Sequence, residues 1–147
     1  MSTNDYISCG AINPSSMRGL AEAERLYEQI RKRKTDYINV ARNSGCSLEQ
    51  AKVIKDYIFN NMHELHEGYK RFTPDLAMAQ SWLRLAETKG VRVQLHDIIL
   101  LQHELYELRL LLDNKDLHQR AAHDIAESRY NYYAAARKFY KQFNIVI

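Results

Sequence analysis

The segment His96–Leu112, HDIILLQHELYELRLLL, limits what this chain can fold into more than any other. Ile98, Leu101, Leu105, Leu108 and Leu112 recur at the three- and four-residue spacing of a helical core stripe. Ile99, Leu100, Tyr106, Leu110 and Leu111 fall on the other faces. A helix that is apolar nearly all round belongs inside a protein. Yet this one also carries His96, His103, Glu104 and Glu107. Buried imidazoles and carboxylates need partners, because an unpaired buried charge is too costly to keep. The pattern therefore predicts a buried central helix at about 96–112 that holds a polar cluster.

The rest of the chain supplies helices to surround it. Ser15 or Ser16 is placed to cap a long helix running to about Arg42, striped by Leu20, Ala23, Tyr27, Ile30, Tyr37 and Ala41 and stopped at Gly45. Ser47 and Gln50 have capping-box spacing and open a second helix. That helix either continues through Asn60–Phe72 as far as Glu67 and breaks at Gly68, or ends earlier. Thr73-Pro74 starts a third helix with Leu76, Ala79, Trp82, Leu83 and Ala86 on its inner side. Val91–Leu95 is a connector, the only place where a short strand could hide, and a last helix runs from about Leu117 to Phe143. With only five Gly and two Pro, a many-turned β-protein is excluded. The prediction is all-α: a loose leader at 1–14, then a single-domain bundle of four or five helices at 15–147.

Cys9 and Cys46 make neither a CxxC pair nor a disulfide framework. The N-terminus MSTNDYISCG lacks a basic-then-apolar signal pattern, and the aliphatic runs Ile98–Leu101 and Leu110–Leu112 are too short to span a bilayer. These features predict a cytoplasmic protein with no membrane partner. A net charge of +3 is too mild for the electrostatic footprint of an obligate nucleic-acid binder.

Three groups of residues have the composition of a chemical centre: His63, Glu64, His66 and Glu67; His103, Glu104 and Glu107; and His123, Asp124 and Glu127. Histidines on three helices with carboxylates beside them suit a divalent metal inside a bundle. They suit metal-free acid–base catalysis equally, with Arg71 or Arg129 to stabilise a developing anion. HELYE at 103–107 ends in Glu where the zinc signature HExxH has His, and HELHE at 63–67 lacks the second His at that offset. Both alternatives stay open. Trp82 reads as core, Arg31–Lys34 as a solvated helix face, and His66 and His118 as exposed. The cations and aromatics of Arg129–Tyr133 and Arg137–Lys141 offer a grip on single-stranded nucleic acid, or the polar side of an amphipathic helix.

Several short motifs keep a common order: HEL-x-x-G at His63–Gly68, RF-x-PD at Arg71–Asp75, SW-x-RL at Ser81–Leu85, LL-x-HE-x-x-E at Leu100–Glu107, and Ala122-His123 followed by Tyr130-Asn131-Tyr132. Over roughly residues 50–135 the chain resembles a helical domain found near phage head-morphogenesis (minor head, MuF-type) proteins and at the C-termini of bacterial polymorphic toxins. The resemblance implies a phage- or prophage-linked domain with nuclease-like or other hydrolytic activity. His63, Glu64, Arg71, His103, Glu104 and His123 are the residues it carries over. Thr73 and His66 depart from the pattern, which has acidic residues there, and the long first helix is additional.

The expectation for function is a phosphodiester hydrolase. His103 acts as base or metal ligand, His63 and His123 as acids or further ligands, Arg71 as anion stabiliser, and Glu104 orients an imidazole. The alternative is a non-enzymatic phage structural protein or binder of a host factor, whose polar cluster only fixes helix register. Nucleic acid or a host protein is the expected partner, and the first helix is a candidate surface for self-association.

Overall fold

The computed structural model describes residues 13–147, and the greater part of the 1–14 leader lies outside them. The fold is all-α. Among the described residues seven α-helices follow one another: α1 (Met17–Lys32), α2 (Asp36–Ser44), α3 (Leu48–Lys55), α4 (Leu76–Leu85), α5 (Leu95–Asp113), α6 (Gln119–Arg129) and α7 (Tyr132–Lys141). A hairpin of two short strands, β1 (His63–Leu65) and β2 (Gly68–Lys70), stands between α3 and α4. No described helix is long and apolar enough to cross a membrane.

Local signals set many of the ends. The Ser16 side chain accepts from the Gly19 amide at the start of α1, and Gly45 closes α2 at φ +82°. Ser47 and Gln50 cap α3 reciprocally. Asp75, rather than Thr73 or Pro74, caps α4 by accepting from Met78 N. Gln94 caps α5, with Asp97 returning the bond at the third helical position.

Two of the long helices expected from the sequence are broken. The helix expected over 15–42 stops at Lys32 and restarts at Asp36. Lys55, from α3, donates to the Arg33 carbonyl and to the buried Asp36 carboxylate, which also accepts from Trp82 Nε1 at 2.8 Å. A distant ammonium thus takes the carbonyl that a continuous helix would have used. The helix expected over 117–143 breaks at Tyr130, and Asn131 caps α7 by accepting from Ala134 N at 2.9 Å.

The segment after α3 resolves the alternative left open there, and it places the short strands here and not at Val91–Leu95. The chain widens into one π-helical turn at Asp56–Asn60, closed by Asn61 N donating to Asp56 O at 2.7 Å. That turn buries Tyr57, Ile58 and Phe59 in succession. Residues 63–67 are then strand and turn, not helix: His63 pairs with Lys70 and Leu65 with Gly68, leaving His66-Glu67 as a two-residue loop. Gly68 sits at φ +120°, a conformation that favours glycine.

The main core gathers α1, α3, α4 and α5 around Leu26, Ile30, Ile54, Phe59, Trp82 and Leu85. The stripe of α1 is spent there, leaving Met17 and Leu20 exposed. A second cluster joins Ala77 and Leu100 to Tyr132, Ala136 and Tyr140 of α7. The tail's inward aromatics are therefore core, while Arg137, Lys138 and Lys141 face solvent. On α5 itself the most buried positions include His96, Asp97, His103, Glu104 and Glu107 as well as Leu100 and Leu101. Leu112, read as the end of the core stripe, is exposed.

Candidate functional site

The polar face of α5 divides into two centres. Near its N-terminus, Arg84 of α4 forms a bidentate pair with Asp97, with Nε at 2.8 Å and Nη2 at 2.7 Å from the two carboxylate oxygens. Nη2 also donates to His96 Nε2 at 3.0 Å. Tyr132, Phe139 and Tyr140 enclose the imidazole. Burial, offset in part by Asp97 and reinforced by Arg84, lowers the His96 pKa to about 4. His96 stays neutral and accepts from Arg84. This centre is closed to solvent.

About two turns further along, α5 meets α6. His103 Nε2 lies 3.2 Å from His123 Nδ1 and 3.4 Å from Glu107 Oε1. His123 Nδ1 lies 3.1 Å from the same Glu107 oxygen. The outer atoms are held as well. His103 Nδ1 donates to the Tyr130 carbonyl at 3.2 Å, and the Tyr57 hydroxyl donates to Glu107 Oε2. The break between α6 and α7 frees that carbonyl, and the π turn aims that hydroxyl. Glu127 Oε2 lies 3.1 Å from His103 Nδ1, yet it is sealed from solvent and accepts no hydrogen bond.

These groups line a cleft of about 310 Å³ bounded by α5, α6, the hairpin turn and the start of α4. His123 is 29% exposed, so solvent reaches the cluster. Glu104 faces the cleft, and no hydrogen bond to its carboxyl is found among the described residues. His66 and His118 stack at the rim with centroids 4.3 Å apart, and His118 caps α6 by accepting from Arg120 N.

The charges follow from these contacts. Burial opposes ionisation of Glu107, but hydrogen bonds from His103, His123 and Tyr57 prevail and lower its pKa to about 2. Burial likewise opposes the His103 imidazolium, and Glu107 with the Tyr130 carbonyl outweighs it and raises the pKa. Glu104 goes the other way: burial first, then the adjacent Glu107 charge, push it well above the usual carboxylate range. Two carboxyls one turn apart are thereby driven to opposite protonation states, the arrangement by which one site keeps an acid beside an anion.

Of the residues singled out in the sequence, His103, Glu104 and His123 meet in this cleft. His63 stands one layer behind. Its Nε2–H donates to the Tyr57 carbonyl at 2.8 Å and its ring stacks on Phe72 at 4.0 Å, so it braces the tyrosine that reaches Glu107. Arg71 is exposed and donates to the Asn60 carbonyl at 3.2 Å, away from the cleft lining, where Arg120 stands instead. The hairpin explains both displacements: a helix over 63–67 would have carried these side chains on a different path. Glu107 and Glu127 join the site, each four residues after a site histidine and so on its face. Nothing in the sequence marks Tyr57, because its position depends on the π turn.

No family model matches the chain, and no curated protein or solved structure matches it.

Proposed function

We propose that this chain is a toxin-like hydrolase of the phage- or prophage-linked kind, cleaving phosphodiesters in the cleft between α5 and α6. One observation carries the reading: His103, Glu104, Glu107 and His123, drawn from two helices, converge on a single solvent-reached cleft. Acid–base chemistry needs groups within hydrogen-bond reach of one another and of a substrate. His123 stands nearest to solvent and moves the proton at the cleft mouth. Glu104 supplies the second proton-transfer group, and Glu107 and the Tyr130 carbonyl orient His103. Arg120 at the rim is the cation that meets an approaching phosphate. The phage and toxin assignment rests on the motif resemblance alone.

Degradation of RNA and DNA substrates by the purified chain tests the reading. His103→Ala and Glu104→Gln should each lower the rate by roughly a hundredfold to ten-thousandfold while circular dichroism stays unchanged. Undiminished degradation by His103→Ala removes the cluster from the mechanism.

A non-enzymatic reading has its own support. The Arg84–Asp97–His96 centre fixes the approach of α4 to α5 with no exposed atom to offer a substrate, and Val91 and Leu95 beside it leave apolar surface for a partner. On that reading no substrate is turned over, and His103→Ala leaves partner binding intact.

A further inference from the structure

We infer that the cleft binds a divalent transition-metal ion, with zinc the best match, through His103 Nε2, His123 Nδ1 and Glu107 Oε1. The inference deepens the hydrolase reading and draws the ion's catalytic role from it; with the ion bound, His103 and His123 hold it and Glu104 is left as the proton-transfer group.

The geometry comes first. The three donor atoms form a triangle with edges of 3.1, 3.2 and 3.4 Å. A tetrahedral ion with bonds of 2.0–2.1 Å needs ligand atoms ~3.3 Å apart. The cleft therefore presents one nearly finished face of a zinc tetrahedron. The three donor residues line the open cleft, which leaves room for a fourth ligand, as in sites that keep one place for water or substrate.

The chemistry of the donors agrees. With its Nδ1–H given to Tyr130, His103 turns Nε2 towards a carboxylate oxygen and a second imidazole. In the metal-free chain protons bridge these atoms, and a dication can take their place among the same three donors, releasing them. The outer atoms of two ligands are already fixed, His103 by the Tyr130 carbonyl and Glu107 by the Tyr57 hydroxyl. Such partners set ligand orientation in metal sites. Glu127 adds a second carboxylate, with a donor atom within 4.8 Å of those of His103 and His123. Its sealed Oε2 accepts no hydrogen bond among the described residues, and its charge favours a cation nearby. Two imidazoles in the set select a transition metal over magnesium or calcium.

The ion also answers an electrostatic objection. Glu67, Asp75, Glu107 and Glu127 line the cleft, and they repel a phosphodiester. A bound dication reverses that at the centre and polarises a phosphoryl oxygen. Helix α5 then offers two ligands one turn apart with Glu104 between them, the mechanical layout of the HExxH helix with a carboxylate for its second imidazole. The third ligand comes from α6. A linear signature cannot contain it.

The test is metal binding by the full chain, freed of metal with a chelator and titrated with Zn²⁺ or Co²⁺. We expect equimolar uptake and the visible absorption of four-coordinate Co²⁺. His123→Ala, at a partly exposed position, and Glu107→Gln should abolish both, and Glu127→Gln should weaken binding by roughly 10–100-fold. His118→Ala serves as a control and keeps full uptake. Absence of binding by the folded wild-type chain, or uptake by His123→Ala equal to wild type, overturns the site. Equimolar, His123-dependent uptake without phosphodiester cleavage upholds the metal and rejects the hydrolase reading. Cleavage that persists in chelator, with no uptake, does the reverse.

Discussion

Helix α5 presents two buried polar centres about two turns apart, and their surroundings differ. Around Arg84, Asp97 and His96 the main hydrogen-bonding groups face one another, aromatic rings enclose them, and solvent is excluded. Around His103, Glu107 and His123 several groups crowd one point, among the described residues one carboxylate oxygen lacks a donor and a neighbouring carboxyl lacks a hydrogen bond, and a cleft opens beside them. A closed, satisfied network holds two helices in register. An open network with spare lone pairs is poised to take something in. One helix thus shows that buried polar residues alone do not define a site. Spare bonding capacity and access do.

The contrast is easiest to break through stability. Arg84→Met should cost about 3–5 kcal/mol in denaturant unfolding, because it leaves the Asp97 carboxylate buried and unpaired. A loss below about 1 kcal/mol would mean that the closed centre does little to hold the fold together.

Acid should act on the closed centre next. His96 titrates near 4 in the folded chain and near its ordinary 6.5 when unfolded. Between those values the unfolded state binds the extra proton, so stability rises with pH through the window. The contribution is complete above about 6.5 and is lost as pH falls towards 4. The loss is of order 3 kcal/mol at ~1.4 kcal/mol per unit. Unfolding midpoints measured across this range should flatten in His96→Gln. An equally steep fall in that variant assigns the acid sensitivity elsewhere.

Opposite behaviour is expected at the open centre. In metal-free protein, Glu104→Gln replaces a carboxyl that burial and the adjacent Glu107 charge keep from ionising with a group that never ionises, and at neutral pH it should gain roughly 1 kcal/mol while losing activity. Destabilisation by that much would place Glu104 among the groups that hold the fold.

The smallest effect joins local structure to the site. Asn131→Ala removes the α7 cap and should cost about 1 kcal/mol. Because that cap holds the break that turns the Tyr130 carbonyl towards His103, the variant should also shift the His103 ring resonances in NMR. Unshifted resonances would show that the carbonyl is held by other means.

How much of this was legible varied with the range of the interaction. Ser16, Gly45 and the Ser47–Gln50 pair announce their helix ends, because capping is settled within four residues. The hairpin was missed because HELHEG carries helix formers and a glycine that serves a stop and a tight turn equally. The break after Lys32 was missed because Lys55, over twenty residues away, enforces it. In the site, Glu107 and Glu127 were readable from their offsets to His103 and His123, whereas Arg84 gave no sign that it would be buried. The positions of His63 and Arg71 followed from the hairpin and could not be read without it.

By itself, the sequence determined a helical protein whose central helix had to bury imidazoles and carboxylates, since periodicity and capping are properties of neighbouring residues. Only the tertiary structure decided which of those groups meet. Partners such as Arg84, Tyr57 and His123 arrive from other elements, and a few ångströms of approach separate a sealed ion pair from an open triangle of donors.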